Sequence, residues 1–412
     1  MKHILASLLL TTAFIQTHGE EPLVITLTSA RQNIHVDSLH IKGTDITPEK
    51  PNWSIIKQTL HGGKQEGVDL ITVNNGKLSF SVIPTRGMSL LSARVDDIHL
   101  GWNSPVKEVV HPKFIRLEDR GGLGWLEGFN EWMVRCGLES NGHPGTDSFI
   151  NNVGDEATMD LTLHGKIGNI PASEVEIIID RAPPYRISIR GRVDERMFYG
   201  PKLEIQTEVS TTPDSPSLRI SDTITNRGDD PQEFQILYHA NYGPPLLEQG
   251  AQFLGPMRNV APFNEHAAAS IDDYSTYQGP TSGFTEQVYC LTPMAGRDGR
   301  TSIGLVNRAR NKGVSMTFSV EQLPYVSLWK NTNLEGEGYV TGLEPGTNFP
   351  NNRRIERKFG RVPKLKAGES HKAEIDITIL QDRQAVTRLE ERVQRIQQQA
   401  EPDFQYTPEN KD

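Results

Sequence analysis

Leu70–Trp102 reads LITVNNGKLSFSVIPTRGMSLLSARVDDIHLGW. Apolar and polar residues alternate along it, the pattern of strands with one buried and one polar face. Asn74-Asn75-Gly76 breaks the alternation as a hairpin turn does, because Asn and Gly tolerate the positive φ of tight turns. The same texture returns in ASEVEIIID (Ala172–Asp180), YRISIRGRVDE (Tyr185–Glu195), KLEIQTEVST (Lys202–Thr211) and SLRISDTITN (Ser217–Asn226). It continues through TSIGLVNRA (Thr301–Ala309), GVSMTFSV (Gly313–Val320) and PYVSLWKNT (Pro324–Thr332), and closes with HKAEIDITIL (His371–Leu380). Turn clusters such as Asn226–Asp230 separate the runs. So many short strands with almost no helical periodicity predict an all-β chain, and one unbroken series this long predicts a large antiparallel sandwich.

Both ends read differently. Val386, Leu389, Val393 and Ile396 recur at helical spacing among charges, which predicts a C-terminal helix followed by a disordered acidic tail over 382–412. At the N-terminus, Lys2 and His3 precede an apolar stretch, Ile4–Ile15, that is too short to span a bilayer. Residues 1–19 therefore read as a signal peptide, and the protein as exported to a periplasm or the extracellular space. A buried N-terminal helix is the alternative. Residues 20–67 read as a strand-and-loop extension, and 68–381 as the β-sandwich body. No later stretch reads as a membrane span.

The chain has 412 residues and a formal net charge of −9 with a pI near 5.8, so nothing electrostatic supports nucleic-acid binding. Its two cysteines, Cys136 and Cys290, could form one disulfide but read better as buried thiols. No His-Glu-x-x-His, EF-hand or paired-cysteine spacing is present, so no metal and no cofactor is expected. The glycine-rich GGLGWLEGFNEW (Gly121–Trp132) lacks the Lys-Ser/Thr ending and the strand-to-helix setting of a phosphate loop. Trp125, Phe129 and Trp132 suggest a loop that covers something flat.

Three segments share one design. LTLHGKIGNIPA (Leu161–Ala172) places His164 after a strand and before glycine. ILYHANYG (Ile236–Gly243) ends a strand on His239. GYVTGLEPGTNFP (Gly338–Pro350) does the same with Glu344. Each alone is an ordinary strand-end residue. Together they supply a histidine and a carboxylate, the minimum set for adding one proton and removing another.

These segments resemble the aldose 1-epimerase, or galactose mutarotase-like, superfamily and in particular its DUF4432 branch. LTLHGKIGNIPA is similar to the family's Leu-His-Gly segment, Ile224–Pro245 to the strand-turn-strand ending on its histidine, and Tyr339–Pro350 to the segment carrying its essential glutamate. Ser79–Pro105 resembles its opening strands, and the likeness runs from about Leu70 to Leu380. It implies a β-supersandwich whose open cleft binds a monosaccharide or a modified sugar. By that resemblance Glu344 is the base at the anomeric hydroxyl, His239 the acid at the ring oxygen, and His164 a substrate contact. Glu286, in SGFTEQVY, stands one place from the family's acidic sugar contact. Arg135 stands where the family often has an arginine before its Leu-His-Gly segment, and Asn348 and Trp329 fall in segments that shape the cleft. Arg86, Arg135, Lys166 and Arg353 are cations that would select an acidic sugar if they faced it. Ala240-Asn241-Tyr242 replaces the family's Tyr-Phe pair.

Three functions remain open from the sequence: an epimerase exchanging sugar anomers, a lyase or isomerase acting on keto- or uronic sugars in the same cleft, and a non-catalytic carbohydrate-binding protein. The oligomeric state is not legible.

Overall fold

The alternating runs become two large sheets in the computed structural model, which describes residues 21–409. The signal-peptide reading of 1–19 falls outside them. One sheet has ten strands and the other thirteen, with two small two-stranded ribbons beside them. Nearly every ladder is antiparallel. An exception is Asp403–Phe404, which runs parallel to Met257–Pro262.

Parity along the strands decides what each face does. In Met133–Leu138 and Gln235–Tyr242, neighbours in the larger sheet, Arg135 stands opposite Tyr238 and Val134 opposite His239. Tyr238, Ala240 and Tyr242 point to the smaller sheet and join the main core with Ile189, Val193, Ile205 and Ile220 from that side. Leu237, His239 and Asn241 point the other way. The far side of the larger sheet therefore carries a second, smaller apolar cluster built from Trp125, Phe129, Val134, Cys136, Leu163 and Leu237. The site lies there. On the smaller sheet the outer face is polar, with cross-strand pairs such as Arg190–Glu208 and Arg219–Asp376.

The strands of the N-terminal extension join both sheets. Leu23–Ser29 pairs with Glu174–Ile179 in the smaller sheet, while Ser38–Lys42 and Ser54–Leu60 extend the larger one. The C-terminal helix spans Arg383–Gln397 and is capped by Asp382, whose carboxylate accepts from the Ala385 N–H at 2.7 Å. It buries Val386, Leu389 and Ile396. The tail expected to be disordered is instead tied down as far as residue 409: the Gln405 N–H donates to the Val260 carbonyl, and Glu409 pairs with Arg361 at 2.8 Å. Neither cysteine is in a disulfide; Cys136 is buried and Cys290 half-buried.

Candidate active site

His239 and Glu344 come from adjacent strands, Gln235–Tyr242 and Val340–Gly346. Ala240 pairs with Leu343, which sets His239 beside Glu344 on the face turned away from the main core. Both residues sit inside their strands rather than after them, since the ladders continue to Tyr242 and Gly346. Extended backbone on both sides makes a rigid mount. His239 Nε2 lies 3.2 Å from Glu344 Oε1, and both side chains are almost wholly buried. The contact is close but not aligned as a hydrogen bond, which leaves Glu344 Oε1 without a partner; His239 Nδ1, on the other side of the ring, has none either. Unpartnered buried polar atoms are costly; others occur elsewhere in the fold, such as Gln235 and Asn169, but among the described residues only here do they fall on a facing histidine and carboxylate.

The space for the pair is made by an absence. A Cβ on Gly342, two residues before Glu344 on the same face, would lie 2.3 Å from Glu344 Oε1 and 3.2 Å from His239 Cε1. Glycine at this position lets the carboxylate fold back over its own strand.

Aromatic rings wall the pair. Phe129 meets the His239 ring edge-on at 5.3 Å, and Trp329 does so at 5.5 Å. Trp125 packs on His164 at 4.6 Å, and Trp102 on Phe129 at 4.9 Å. The glycine-rich loop thus supplies Trp125 and Phe129 to the wall. Trp132 goes to the main core, and its carbonyl accepts from the Asn241 N–H. Glu286 stands at the exposed side, where its carboxylate accepts from the Trp329 indole N–H at 2.8 Å.

His164 completes the group, its ring 5.1 Å from that of His239. It occupies a left-handed backbone position, φ +60°. Its Nδ1 is 3.0 Å from the Asn141 carbonyl. Asn348 does not enter the site. Its amide makes a reciprocal pair with the Asn141 side chain at 2.7 and 3.0 Å, and so holds the residue that holds His164.

Burial sets the protonation of all three groups. It pushes the pKa of His164 down to about 4, against the pull of the Asn141 carbonyl. It holds His239 well below the usual histidine range, with His164 adding to the effect. It raises Glu344 well above the usual carboxylate range, helped by the negative charge of Glu286. Burial therefore favours the uncharged form of all three groups.

The arginines do not reach this face. Arg135 lies between the sheets, bidentate to Asp222 at 2.5 and 3.0 Å, with Thr207 and the Met88 carbonyl as further acceptors. Arg86 is fully buried, pairs with Glu131 at 2.7 Å and donates to the Val110 and Gly128 carbonyls. That contact steadies the loop bearing Phe129. Arg353 is buried against Asp147 at 2.7 Å, and Lys166 reaches only toward Glu139 at 3.6 Å. The expectation that these cations select an acidic sugar fails, because buried carboxylates already use the arginines. Of the residues expected at the site, His239, Glu344, His164, Trp329 and Glu286 come together; Asn348 and Arg86 act from behind, and Arg135 is on the wrong face. Gly342 and Asn141 were missed. Gly342 was findable as the same-face neighbour of Glu344 at period two; no local signal marks Asn141.

Two clefts lie elsewhere on the surface, and neither is lined by His239 or Glu344. One of about 410 Å³ is lined by His99, Trp102, Asn103, Pro244, Glu335 and Tyr339, and adjoins the site through Trp102. A second, of about 300 Å³, has Tyr325, Phe349, Asn351 and Arg361 in its lining. Among the described residues no group of three or more His, Cys, Asp or Glu is arranged to hold a metal ion, and no helix is long and apolar enough to cross a membrane.

The sequence matches the family described as Domain of unknown function (DUF4432) over residues 65–379. A crystal structure of a "putative aldose 1-epimerase" from Klebsiella pneumoniae subsp. pneumoniae is similar at 41% identity and a TM-score of 0.88, covering 94% of this chain and 99% of that one. A galactose mutarotase-like protein from Clostridium acetobutylicum is 13% identical with a TM-score of 0.53, over 79% of this chain and 98% of its own. The Slr1438 protein from Synechocystis sp. PCC 6803 is 17% identical with a TM-score of 0.51, over 76% and 95%. At these last two identities the likeness is one of fold. No curated protein sequence matches.

Proposed function

Because the chain belongs to the DUF4432 family and has the galactose mutarotase-like fold, we propose that it is a carbohydrate-active enzyme exchanging sugar anomers, with Glu344 and His239 as its acid–base pair. The observation that carries this reading is the 3.2 Å approach of His239 Nε2 to Glu344 Oε1 in a buried, aromatic-walled setting. Aromatic faces suit the C–H faces of a sugar ring, and Trp329 with Glu286 adds polar groups for hydroxyls.

Proton counting supports the assignment. With both groups in the uncharged form that burial favours, the pair shares one ionisable proton, on Glu344. Transfer of that proton to His239 gives a carboxylate base and an imidazolium acid with no change of net charge. The low dielectric that disfavours a lone charge is kinder to the adjacent ion pair. The carboxylate then takes the proton of the anomeric hydroxyl while the imidazolium protonates the ring oxygen. The bond from the anomeric carbon to the ring oxygen breaks, leaving an open-chain carbonyl. Rotation and closure run the same steps backwards and return both protons. Each well-placed group contributes roughly 10² to 10⁴ in rate.

The test is anomer exchange followed by saturation-transfer NMR over free aldoses, deoxy sugars and uronic acids, with Glu344→Gln as control. Exchange abolished in the variant is the expected result. A new ultraviolet chromophore from an unsaturated product would replace the epimerase with a lyase. Binding without any reaction, unchanged in Glu344→Gln, would make the protein a carbohydrate-binding module. We further propose that residues 1–19 are a cleaved leader and that the activity lies outside the cytoplasm, which N-terminal sequencing of the mature protein tests.

A further inference from the structure

Asn241 follows His239 by two residues on the same strand and the same face, and it is fully buried. Its carboxamide has one permitted orientation. The nitrogen donates to the Glu131 carbonyl at 3.0 Å and to the His239 carbonyl at 3.3 Å. Both partners are acceptors only, which fixes the nitrogen on that side and the oxygen on the other. That oxygen, Oδ1, is buried without a partner, and so is His239 Nδ1. One is an acceptor in need of a donor. The other is a ring nitrogen whose partner decides where the imidazole proton sits.

The two atoms answer each other. Extended backbone sets residues i and i+2 roughly 6.6 Å apart, a span that an imidazole and a carboxamide on one face can bridge. Nε2 is already engaged, since it faces Glu344 Oε1 at 3.2 Å, so Nδ1 is the nitrogen left for Asn241. Burial and the neighbouring His164 hold the His239 pKa down, while the Asn241 side chain pulls it up, as an acceptor facing the ring does. The consequence for proton transfer is direct. A neutral imidazole carries one proton. On Nε2 that proton would block the ring from receiving the one on Glu344; on Nδ1 it leaves the Nε2 lone pair open to it.

We propose that Asn241 is a positioning residue whose Oδ1 takes the Nδ1–H of His239 and so keeps Nε2 bare toward Glu344. The proposal rests on the acid–base reading of His239 and Glu344. It also gives the Glu131 carbonyl a task. That carbonyl accepts from the Trp102 indole N–H at 3.3 Å as well as from Asn241, so the amide that orients His239 is anchored next to Phe129, the ring that packs on His239.

Nitrogen-15 NMR of the full-length protein labelled at histidine reads the tautomer directly, with His239→Gln identifying the signal. In the native protein at neutral pH, His239 should carry its proton on Nδ1 and not on Nε2. Asn241→Leu keeps the size of the side chain and removes the acceptor. It should move His239 toward the Nε2–H form and lower kcat for anomer exchange about 10²-fold or more, with KM unchanged. A merely structural residue would lower stability and leave the tautomer alone. An Nε2–H tautomer in the native protein would overturn the proposal whether or not any variant folds. So would an Asn241→Leu protein with a raised KM but native tautomer and kcat, since Asn241 would then be a substrate contact. Either result leaves the proposed reaction standing. A native Nδ1–H tautomer that is lost in Asn241→Leu, in a protein that exchanges no anomers, would uphold the positioning and sink the reaction.

Discussion

His239 and Glu344 meet 3.2 Å apart while burial keeps each uncharged, His239 by a lowered pKa and Glu344 by a raised one. The active pair is the singly protonated one, whichever atom holds the proton. Acid adds a second proton at His239, and base removes the last from Glu344. The rate should therefore fall in acid only below the usual histidine pKa of 6.5, and fall in base well above the usual carboxylate range. Glu286→Gln removes a negative neighbour of Glu344, lowers its pKa and should move the alkaline limb to lower pH. A pH profile of kcat/KM for both proteins checks this. An acid limb centred at or above 6.5 would be incompatible with a desolvated His239.

Gly342→Ala isolates the placement of Glu344. The backbone there is not left-handed, so alanine is tolerated by the strand and the clash falls on Glu344 Oε1 at 2.3 Å. A reacting group displaced by an ångström loses about 10² in rate. We expect a loss of that order in kcat/KM, with a stability cost of about 1–3 kcal/mol from overpacking. Full activity in a folded Gly342→Ala protein would show that Glu344 has room to act from elsewhere.

The fold was legible because period-two alternation is a local signal, and it runs through most of the chain. The strands of the N-terminal extension were legible only as strand and loop, because their places are set by pairing with Glu174–Ile179 and Val68–Asn74, which no local pattern announces. The tail misled for the same reason, since Arg361 and Val260 fix it from far away. In the site, the strand runs that end on His239 and Glu344 were legible, and parity could also have shown Gly342 on the face of Glu344. Sequence could not supply the register between strands. That register sets Arg135 opposite Tyr238, on the core face, rather than beside His239.

Arg135 gives a direct check of that correction. Its partner Asp222 is fully buried, so Arg135→Ala strands a carboxylate between the sheets and should cost about 3–5 kcal/mol. Pairing Arg135→Met with Asp222→Leu removes both charges and should recover most of the loss. Denaturant unfolding reads the stability, and KM should stay unchanged for whatever protein remains folded. A raised KM with native stability would return Arg135 to the substrate.

Glu195 links the His164 end of the site to pH. Its carboxylate Oε2 accepts from the Leu138 N–H at 2.7 Å, and Oε1 is unpartnered. Burial raises its pKa to about 7, only partly opposed by the Leu138 N–H. The folded-state pKa is higher than the unfolded one, near 4.5, so folding favours the protonated form. That stabilisation is complete below pH 4.5 and is lost as pH rises through about 7, where the buried group must ionise. The 2.5-unit gap corresponds to roughly 3 kcal/mol. Glu195→Gln cannot ionise, and its carbonyl can still accept from Leu138. Wild-type stability should therefore decline between pH 5 and pH 8.5, and the variant should lose much of that slope. Parallel pH–stability curves for the two proteins would mean that Glu195 is not the group responsible. The His164 turn is the place to watch, because the Gly137 N–H, one residue before Leu138, donates to the His164 carbonyl at 3.1 Å. Ionisation of Glu195 should loosen that turn first, seen as faster amide exchange at Gly137 above pH 7 in the wild type and not in the variant.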